Sequence, residues 1–171
     1  MNLKIPFFSF DSAPESLKNE WISAAAEVIK NGNYILGSAI KDFESNWSEY
    51  LGTEGSVSIG NGFDGLCIAL MSLGIKAGDR VAVPAHTFIA CWFAIHKVGG
   101  IPVGVDVDED GLMDLDEIAN LREIPEFVMP VHMHGKMINM NRLMTWARAN
   151  GVRVVEDCSQ SHGASLDGKL A

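Results

Sequence analysis

A group of polar side chains, running from Asp157 to His162, follows directly on an apolar segment that has the pattern of a strand. In an open α/β sheet, ligands bind just beyond the carboxyl ends of the strands. Asp157 stands at such an end, where a charge is costly unless a positive or hydrogen-bonding group meets it. The protonated ring nitrogen of a heterocyclic ligand would be such a group. The alternative is that Asp157 only caps a turn with its neighbours.

A second candidate site is the glycine loop Gly60–Gly65, which has the pattern G-x-G-x-x-G between a predicted strand and a predicted helix. Free backbone N–H groups at a helix N-terminus attract phosphate. A nicotinamide-dependent oxidoreductase on a Rossmann sheet is therefore one alternative. Its ribose-binding acid should end the next strand, yet Asp79 precedes that strand and Val83–Ala85 ends it. A tight turn without a ligand is the other alternative.

Two further patterns are typical of metal sites, but neither predicts one here. Residues Asp106–Gly111 with Glu117 match an EF-hand calcium loop, but the preceding Gly99–Val105 cannot form the helix that such a loop requires. His132 and His134 would lie on one side of an extended segment, but two histidines are not a complete ligand set. We therefore predict no metal, and we interpret the histidines as polar lining of a cleft.

These candidate residues are positioned by alternating strands and helices. The pattern predicts a helix that starts from the capping box Ser12–Glu15 and stops at Gly32, and a second helix that follows Gly37-Ser38 and carries Leu51 on its apolar face. It then predicts the strands 55–59, 80–84, 102–106, 126–131 and 152–156, with helices over 64–74, 87–98, 114–121 and 139–150. Such alternation is typical of an α/β fold with a mostly parallel sheet and helices on both faces. A helical segment over 1–52 precedes the α/β part over 53–171, and the polar clusters all follow strand ends.

The composition excludes several classes of function. The chain has 171 residues, is 47% hydrophobic and carries a net charge of −9 that is spread along its length. Nucleic acid is not an expected partner, because phosphate binding needs clustered Lys and Arg. A membrane partner is not expected either, because no apolar run is long enough to span a bilayer. We interpret Cys67, Cys91 and Cys158 as reduced thiols of a cytoplasmic protein.

Taken in order, the motifs resemble the DegT/DnrJ/StrS-type sugar aminotransferases, a family that uses pyridoxal 5′-phosphate (PLP) on the type I aminotransferase fold. The resemblance covers essentially the whole chain, and residues 53–171 would be part of the PLP-binding large domain. The blocks that carry it are Gly32–Gly37, Phe43-Glu44, Gly60–Leu66, Gly78–Val81, Pro84–Ala90, Pro130–Gly135 and Glu156–Ala164.

The resemblance implies a role for each candidate cofactor residue. The turn at Gly62, Phe63 and Asp64 would hold the PLP phosphate, through the main-chain amides of Phe63 and Asp64. Phe88 would stack on the ring, as an aromatic side chain can, although a lone phenylalanine is more often part of a core. Asp157 would pair with the protonated ring nitrogen, which keeps the ring an electron sink.

The resemblance also implies a substrate and an assembly. Gln160 would reach the 3′-oxygen side of the ring, and Tyr34 would help to shape a sugar site in a homodimer. Glutamate would donate its amino group to the cofactor, which would then aminate a nucleotide-linked keto sugar. The blocks at Asn61–Asp64 and Ile89–Ala94 are most similar to members that aminate a 3-keto sugar. Products of this class are deoxyamino sugars, including those of O-antigen, lipopolysaccharide and other surface polysaccharides.

The lysine that the family attaches to PLP has no counterpart here. It would follow the Asp157 block, whereas Lys97, Lys136 and Lys169 match no motif. Residues 164–168 also resemble the first arm and turn of a hairpin whose second arm is almost absent, which would leave an unpaired edge. We therefore expect a C-terminally truncated, N-terminal portion of such an enzyme that is inactive alone. A non-catalytic binding or regulatory paralogue is the alternative.

Overall fold

The computed structural model of the protein describes Pro6, Ser9 and residues 11–171. The chain divides into two compact units, Met1–Ser58 and Ile59–Ala171. Sequence analysis placed this division after residue 52. No helix in the described part of the chain is both long enough and apolar enough to cross a bilayer.

The described chain contains six helices and six strands. In order, they are α1 (Glu15–Asn31), α2 (Ser38–Leu51), α3 (Gly62–Ser72), β1 (Arg80–Pro84), α4 (Ile89–Lys97), β2 (Ile101–Val105), α5 (Leu115–Ala119), β3 (Phe127–Val128), α6 (Met140–Asn150), β4 (Arg153–Val154), β5 (Ser165–Leu166) and β6 (Lys169–Leu170).

The described part of the first unit contains α1, α2 and the segment that follows them. Each helix ends at a glycine in the left-handed conformation, Gly32 with φ 70° and Gly52 with φ 67°. Glycine adopts this conformation without the steric cost that other residues pay. Along α2, Phe43 and Trp47 stack with ring centroids 5.9 Å apart, as expected for side chains four residues apart on one helix face.

The predicted strand over residues 55–59 is wrong. The segment has no regular secondary structure and pairs with no strand among the described residues. Its polar atoms bond instead to Glu44, whose carbonyl accepts from Ser56 Oγ at 2.6 Å and whose carboxylate accepts from Ser58 N at 2.6 Å. Val57 is 82% exposed, so the segment also lacks the burial that a central strand requires.

The second unit is built on a four-stranded parallel sheet with the order β2-β1-β3-β4. Successive side chains of a strand point to opposite faces. Val81, Ala82 and Val83 of β1 are all fully buried, as are Phe127 and Val128 of β3. Both faces of the central strands are therefore covered, and the predicted α/β fold with a mostly parallel sheet is confirmed.

Hydrogen bonding between the paths of β3 and β4 continues well beyond the short strands themselves. Asp157 N donates to the carbonyl of Pro130 at 2.9 Å, and His132 N donates to the carbonyl of Asp157 at 3.0 Å. These bonds keep the segments parallel up to the polar residues that follow them. The register fixes Asp157 beside Val131, with which it forms an isolated parallel bridge.

The second arm of the hairpin after Ala164, expected to be almost absent, is only two residues long, but the expected unpaired edge is wrong because this short arm pairs with the first. Strands β5 and β6 form an antiparallel pair, in which Ser165 faces Leu170 and Leu166 faces Lys169. The turn residues Asp167 and Gly168 both have positive φ, 52° and 76°. Positive φ at both central residues is typical of the type I′ turn that joins two-residue hairpins.

Candidate functional site

A cavity of about 350 Å³ lies where the chain leaves β1, β3 and β4, beside the N-termini of α3 and α4. Its volume is within the range of small-molecule sites. It brings together five of the six residues that sequence analysis assigned to a cofactor. These are Gly62, Phe63, Phe88, Asp157 and Gln160.

The N-terminus of α3 is capped by its own asparagine. Asn61 Oδ1 accepts from Asp64 N at 2.9 Å, and Asn61 Nδ2 donates to Asp64 Oδ2 at 2.8 Å. The first intrahelical bond runs from Gly65 N to the Asn61 carbonyl, so the amides of Gly62 and Phe63 have no helical partner.

This cap changes which amides can meet an anion. Asp64 does not line the cavity, and its amide already donates to Asn61. Gly62 and Phe63 do line it, at the positive end of the helix dipole. A Cβ on Gly62 would meet no atom within 4 Å, so there is open space beside this backbone. An anion would therefore meet the Gly62 and Phe63 amides first.

Asp157 is held from one side and open on the other. Its Oδ1 accepts from Ser159 N at 2.9 Å and from Ser159 Oγ at 2.6 Å, so the carboxylate does cap a turn. Its Oδ2 accepts from Cys91 Sγ at 3.2 Å. Asp157 is 6% exposed, and none of the ion pairs among the described residues includes it. A buried carboxylate without a cation is suited to a positively charged ligand group.

Phe88 is presented to the cavity and is not part of the core. It is the N-cap residue of α4, with extended backbone at φ −64° and ψ 139°. Its side chain is 70% exposed, so the ring is free to lie against a flat ligand. The alternative that Phe88 is a core residue is therefore wrong.

Gln160 is oriented by the loop that follows β3. Its carbonyl accepts from Gly135 N at 3.0 Å, and its Oε1 lies 3.5 Å from His134 N, which donates to it. Because Oε1 faces this donor, the amide NH₂ group is the part of Gln160 left to donate to a ligand oxygen.

The interpretation of the two histidines as cleft lining is wrong. Side chains alternate along the extended segment, and it is Val131 and Met133 that line the cavity. His132 lies on the other side and is fully buried. His134 ends the extended path, because its φ of 57° is in the left-handed region. The alternation that would place the two rings on one side therefore stops before the side chain of His134.

His132 forms a hydrogen-bonded pair with Glu156, and neither residue lines the cavity. His132 Nε2 lies 2.6 Å from Glu156 Oε1, and His132 Nδ1 accepts from Ile138 N at 3.2 Å. An accepting Nδ1 carries no proton, so the ring proton is on Nε2 and is donated to the carboxylate.

The same pair belongs to a trio with Cys158 whose ligand atoms lie within 4.8 Å of one another. The geometry argues against metal binding there. The Ile138 amide donates to His132 Nδ1, so the ring proton is on Nε2, and a metal ion at Nε2 would have to displace that proton. Burial, with the charge of Glu156 next in importance, also raises the pKa of the Cys158 thiol to about 12. A protonated thiol is a poor metal ligand.

Sequence analysis missed three residues that hold Asp157 in place: Thr87, Cys91 and Ser159. Cys91 Sγ lies 3.3 Å from Thr87 Oγ1, and both residues line the cavity. The available signal was spacing, because Cys91 lies three residues after Phe88, on the first turn of α4. Burial raises the pKa of the Cys91 thiol to about 12.

Neither Lys136 nor Tyr34 lines the cavity. Among the described residues that line the cavity there is no lysine, and Lys136 pairs with Asp110 instead. Tyr34 belongs to the first unit, where it is 64% exposed and its hydroxyl donates to the carbonyl of Ile29 at 3.1 Å. Its predicted contact with a sugar stays a prediction.

Comparison with known proteins gives a consistent result. Residues 15–171 match the model of the DegT/DnrJ/EryC1/StrS aminotransferase family. A relative from Streptomyces venezuelae, the dTDP-3-amino-3,4,6-trideoxy-alpha-D-glucose transaminase, is 37% identical over 97% of this chain and 44% of its own length.

Solved structures agree with that match. S. venezuelae DesV in complex with a ketimine intermediate has a TM-score of 0.90 and 36% identity, over 98% of this chain and 46% of that one. The Bacillus subtilis protein NtdA with bound cofactor PMP has a TM-score of 0.88 and 30% identity, over 98% of this chain and 39% of that one. The chain spans less than half the length of these relatives.

Proposed function

The chain belongs to the DegT/DnrJ/EryC1/StrS aminotransferase family, and on that basis we propose that it forms the cofactor-binding part of a PLP-dependent sugar aminotransferase. It has the fold of the large domain of these enzymes. The predicted cofactor, PLP, is confirmed at the level of the family. The observation that carries the proposal is the buried Asp157 carboxylate, which faces the cavity without a cation among the described residues.

The cavity residues fit the chemical parts of this cofactor. The free amides of Gly62 and Phe63 suit its phosphate, in place of the predicted pair Phe63 and Asp64. Phe88 suits a flat ring, and Asp157 suits a protonated ring nitrogen. When bound, the cofactor supplies an electron-withdrawing ring. The protein's part is to hold the ring proton at Asp157 Oδ2 and to fix the orientation of the ring.

The proposed substrates are a nucleotide-linked keto sugar and glutamate as the amino donor. The name of the S. venezuelae relative, a dTDP-amino-sugar transaminase, supports this class and agrees with amination at a 3-keto position. Gln160 has an amide free to donate to the 3′-oxygen side of the ring. Formation of a homodimer, a sugar contact by Tyr34, a cytoplasmic location and a role in deoxyamino sugar or surface polysaccharide synthesis remain parts of the proposal.

We also propose that these 171 residues bind the cofactor without completing a transamination cycle. No lysine is among the described residues that line the cavity, and Lys97, Lys136 and Lys169 match no motif of the family. Incubation with PLP, borohydride reduction and mass spectrometry test this proposal. Scattered, sub-stoichiometric labelling is expected, whereas one stoichiometric pyridoxyl-lysine would contradict it.

The test of the proposed function is a titration with pyridoxamine 5′-phosphate (PMP), which needs no lysine for attachment. We expect saturable quenching of tryptophan fluorescence by PMP and none by NADH that saturates in the same range. Inorganic phosphate should compete, because it would occupy the amides of Gly62 and Phe63. Saturable binding of NADH without binding of PMP would overturn the proposal.

The alternatives are less well supported. A nicotinamide site needs an acidic residue at the end of the strand after the glycine loop, but β1 ends in Val83 and Pro84. A non-catalytic paralogue would keep the PMP site and differ only in turnover. Binding of PMP by this chain, followed by activity once a lysine-bearing C-terminal half is supplied, would exclude that paralogue.

A further inference from the structure

Cys91 lies in the cavity at a place where a protein group and a ligand would compete for the same atom. Its thiol is 1% exposed, and its Sγ lies 3.2 Å from Asp157 Oδ2. The other oxygen, Oδ1, already accepts two bonds from Ser159. Oδ2 is therefore the oxygen left for a ligand, and Cys91 already donates to it.

The direction of each hydrogen bond around Cys91 follows from its single proton. A carboxylate can only accept a hydrogen bond, so the Cys91 thiol donates its proton to Asp157 Oδ2. The hydroxyl of Thr87, 3.3 Å from the sulfur, must then donate to Cys91. Burial raises the pKa of the Cys91 thiol to about 12, so it remains a donor across the physiological range. The result is a chain of donors from Thr87 through Cys91 to Asp157.

Resting on the proposed function, we propose that Cys91 is a positioning residue that moderates how strongly Asp157 holds the ring-nitrogen proton of the cofactor. A carboxylate oxygen that accepts one bond has less negative charge to offer to a second donor. The thiol is a weak donor, so it reduces the hold of Asp157 on the ring nitrogen without removing it. Cys91 thereby adjusts the ring without touching the reacting atoms.

The test is a graded series at one position, read by ligand affinity. The two ligands are PMP and its analogue in which carbon replaces the ring nitrogen. The preference for PMP over the analogue measures the bond between the ring nitrogen and Asp157. We expect this preference to rise about threefold to tenfold in Cys91→Ala, which has no donor, and to fall in Cys91→Ser, which has a stronger one. Thr87→Val should act in the same direction as Cys91→Ala, but less.

The pH dependence of the bound ligand provides a second readout. The pH at which the ring nitrogen of bound PMP loses its proton, followed by absorbance, should be highest in Cys91→Ala and lowest in Cys91→Ser. Cys67→Ala is the matched control, because Cys67 is another buried thiol but has the carbonyl of Ala94 as its partner, 3.9 Å away. This control should leave both measurements unchanged.

A ligand-free measurement keeps the test valid if a variant folds poorly. In the infrared spectrum, the S–H stretching band of Cys91 is the one that disappears in Cys91→Ser. This band should move to higher frequency in Asp157→Asn, because the neutral amide is a weaker acceptor than the carboxylate.

An unmoved band, a flat series or the reverse order of affinities, in a chain that binds PMP, would overturn the role of Cys91 and leave the proposed function intact. Failure of the unaltered chain to bind PMP would overturn the function and this role together.

Discussion

Glu156 and Asp157 are adjacent carboxylates at the same strand end, but they meet opposite environments. Glu156 does not line the cavity, and the buried ring of His132 donates to it at 2.6 Å. Asp157 faces the cavity, is 6% exposed, and has only hydrogen bonds from Ser159 and Cys91. The alternation of side chains along an extended segment separates them.

A structural carboxylate and a ligand-binding one are distinguished here by the partner that each meets. The protein satisfies Glu156 with a neutral histidine whose tautomer is fixed by the Ile138 amide. It leaves Asp157 buried without a cation among the described residues, which is a cost that a ligand can remove. Removing the partner of Glu156 should therefore affect folding, whereas changing Asp157 should affect binding.

The largest expected effect is on the free energy of unfolding, at the pair His132 and Glu156. His132→Ala removes a fully buried ring and leaves Glu156 and the Ile138 amide without their partner. We expect a loss of roughly 2–4 kcal/mol in the free energy of unfolding, measured by urea denaturation. His134→Asn is the control, since His134 is exposed and asparagine tolerates positive φ. Equal losses in the two variants would contradict the structural role of His132.

The next effect should be confined to the cavity. Asp157→Asn keeps the shape of the side chain but removes its charge, so the affinity for PMP should fall about tenfold to hundredfold. Glu156→Gln, one residue away, should change that affinity less than about twofold. Isothermal titration calorimetry measures both. A large loss in Glu156→Gln with none in Asp157→Asn would reverse the comparison and remove the basis of the proposed function.

A smaller effect is expected at the phosphate end of the cavity. Asn61→Ala removes the cap of α3 and should cost about 1 kcal/mol of stability, as should Asn139→Ala at the equivalent cap of α6. Because Asn61→Ala also frees the Asp64 amide, its affinity for PMP should not fall more than about twofold. Thermal melts and PMP titrations distinguish the two losses. A collapse of binding in Asn61→Ala alone would mean that the asparagine itself holds the ligand.

The smallest effects concern the two thiols beside these carboxylates. Burial raises the pKa of Cys91 and of Cys158 to about 12 from an ordinary value of 9.0. The unfolded chain then releases these protons first, so stability is full below about pH 9 and is lost as pH rises toward about 12. Denaturation midpoints at stepped pH measure this loss, which should shrink in Cys158→Ala.

Alkylation rates extend the same comparison. Both thiols should react slowly with iodoacetamide near pH 8, and bound PMP should slow the reaction at Cys91 but not at Cys158. Equal protection of the two thiols would place the ligand outside the cavity.

The order of strands and helices, the parallel sheet and the polar positions after its strands could all be predicted from the sequence. These follow from local rules, because hydrophobic periodicity and glycine stops act over a few residues. Residue types and spacing also carried the family resemblance, and five of the six predicted cofactor residues meet in one cavity. The strand over 55–59 failed because a strand also needs a paired neighbour, which the local pattern cannot guarantee.

The partner of each polar group, by contrast, depends on the tertiary fold. Cys91 reaches Asp157 across 66 positions of sequence, and His132 reaches Glu156 across 24. The Asn61 side chain takes the Asp64 amide that the resemblance assigned to a phosphate. Such pairings depend on the register between parallel strands and on the helices packed over them, and this register is set by contacts between distant segments. Side chains alternate along a strand, so a register shift of one residue would exchange the two faces, and short directional hydrogen bonds such as these would then be lost.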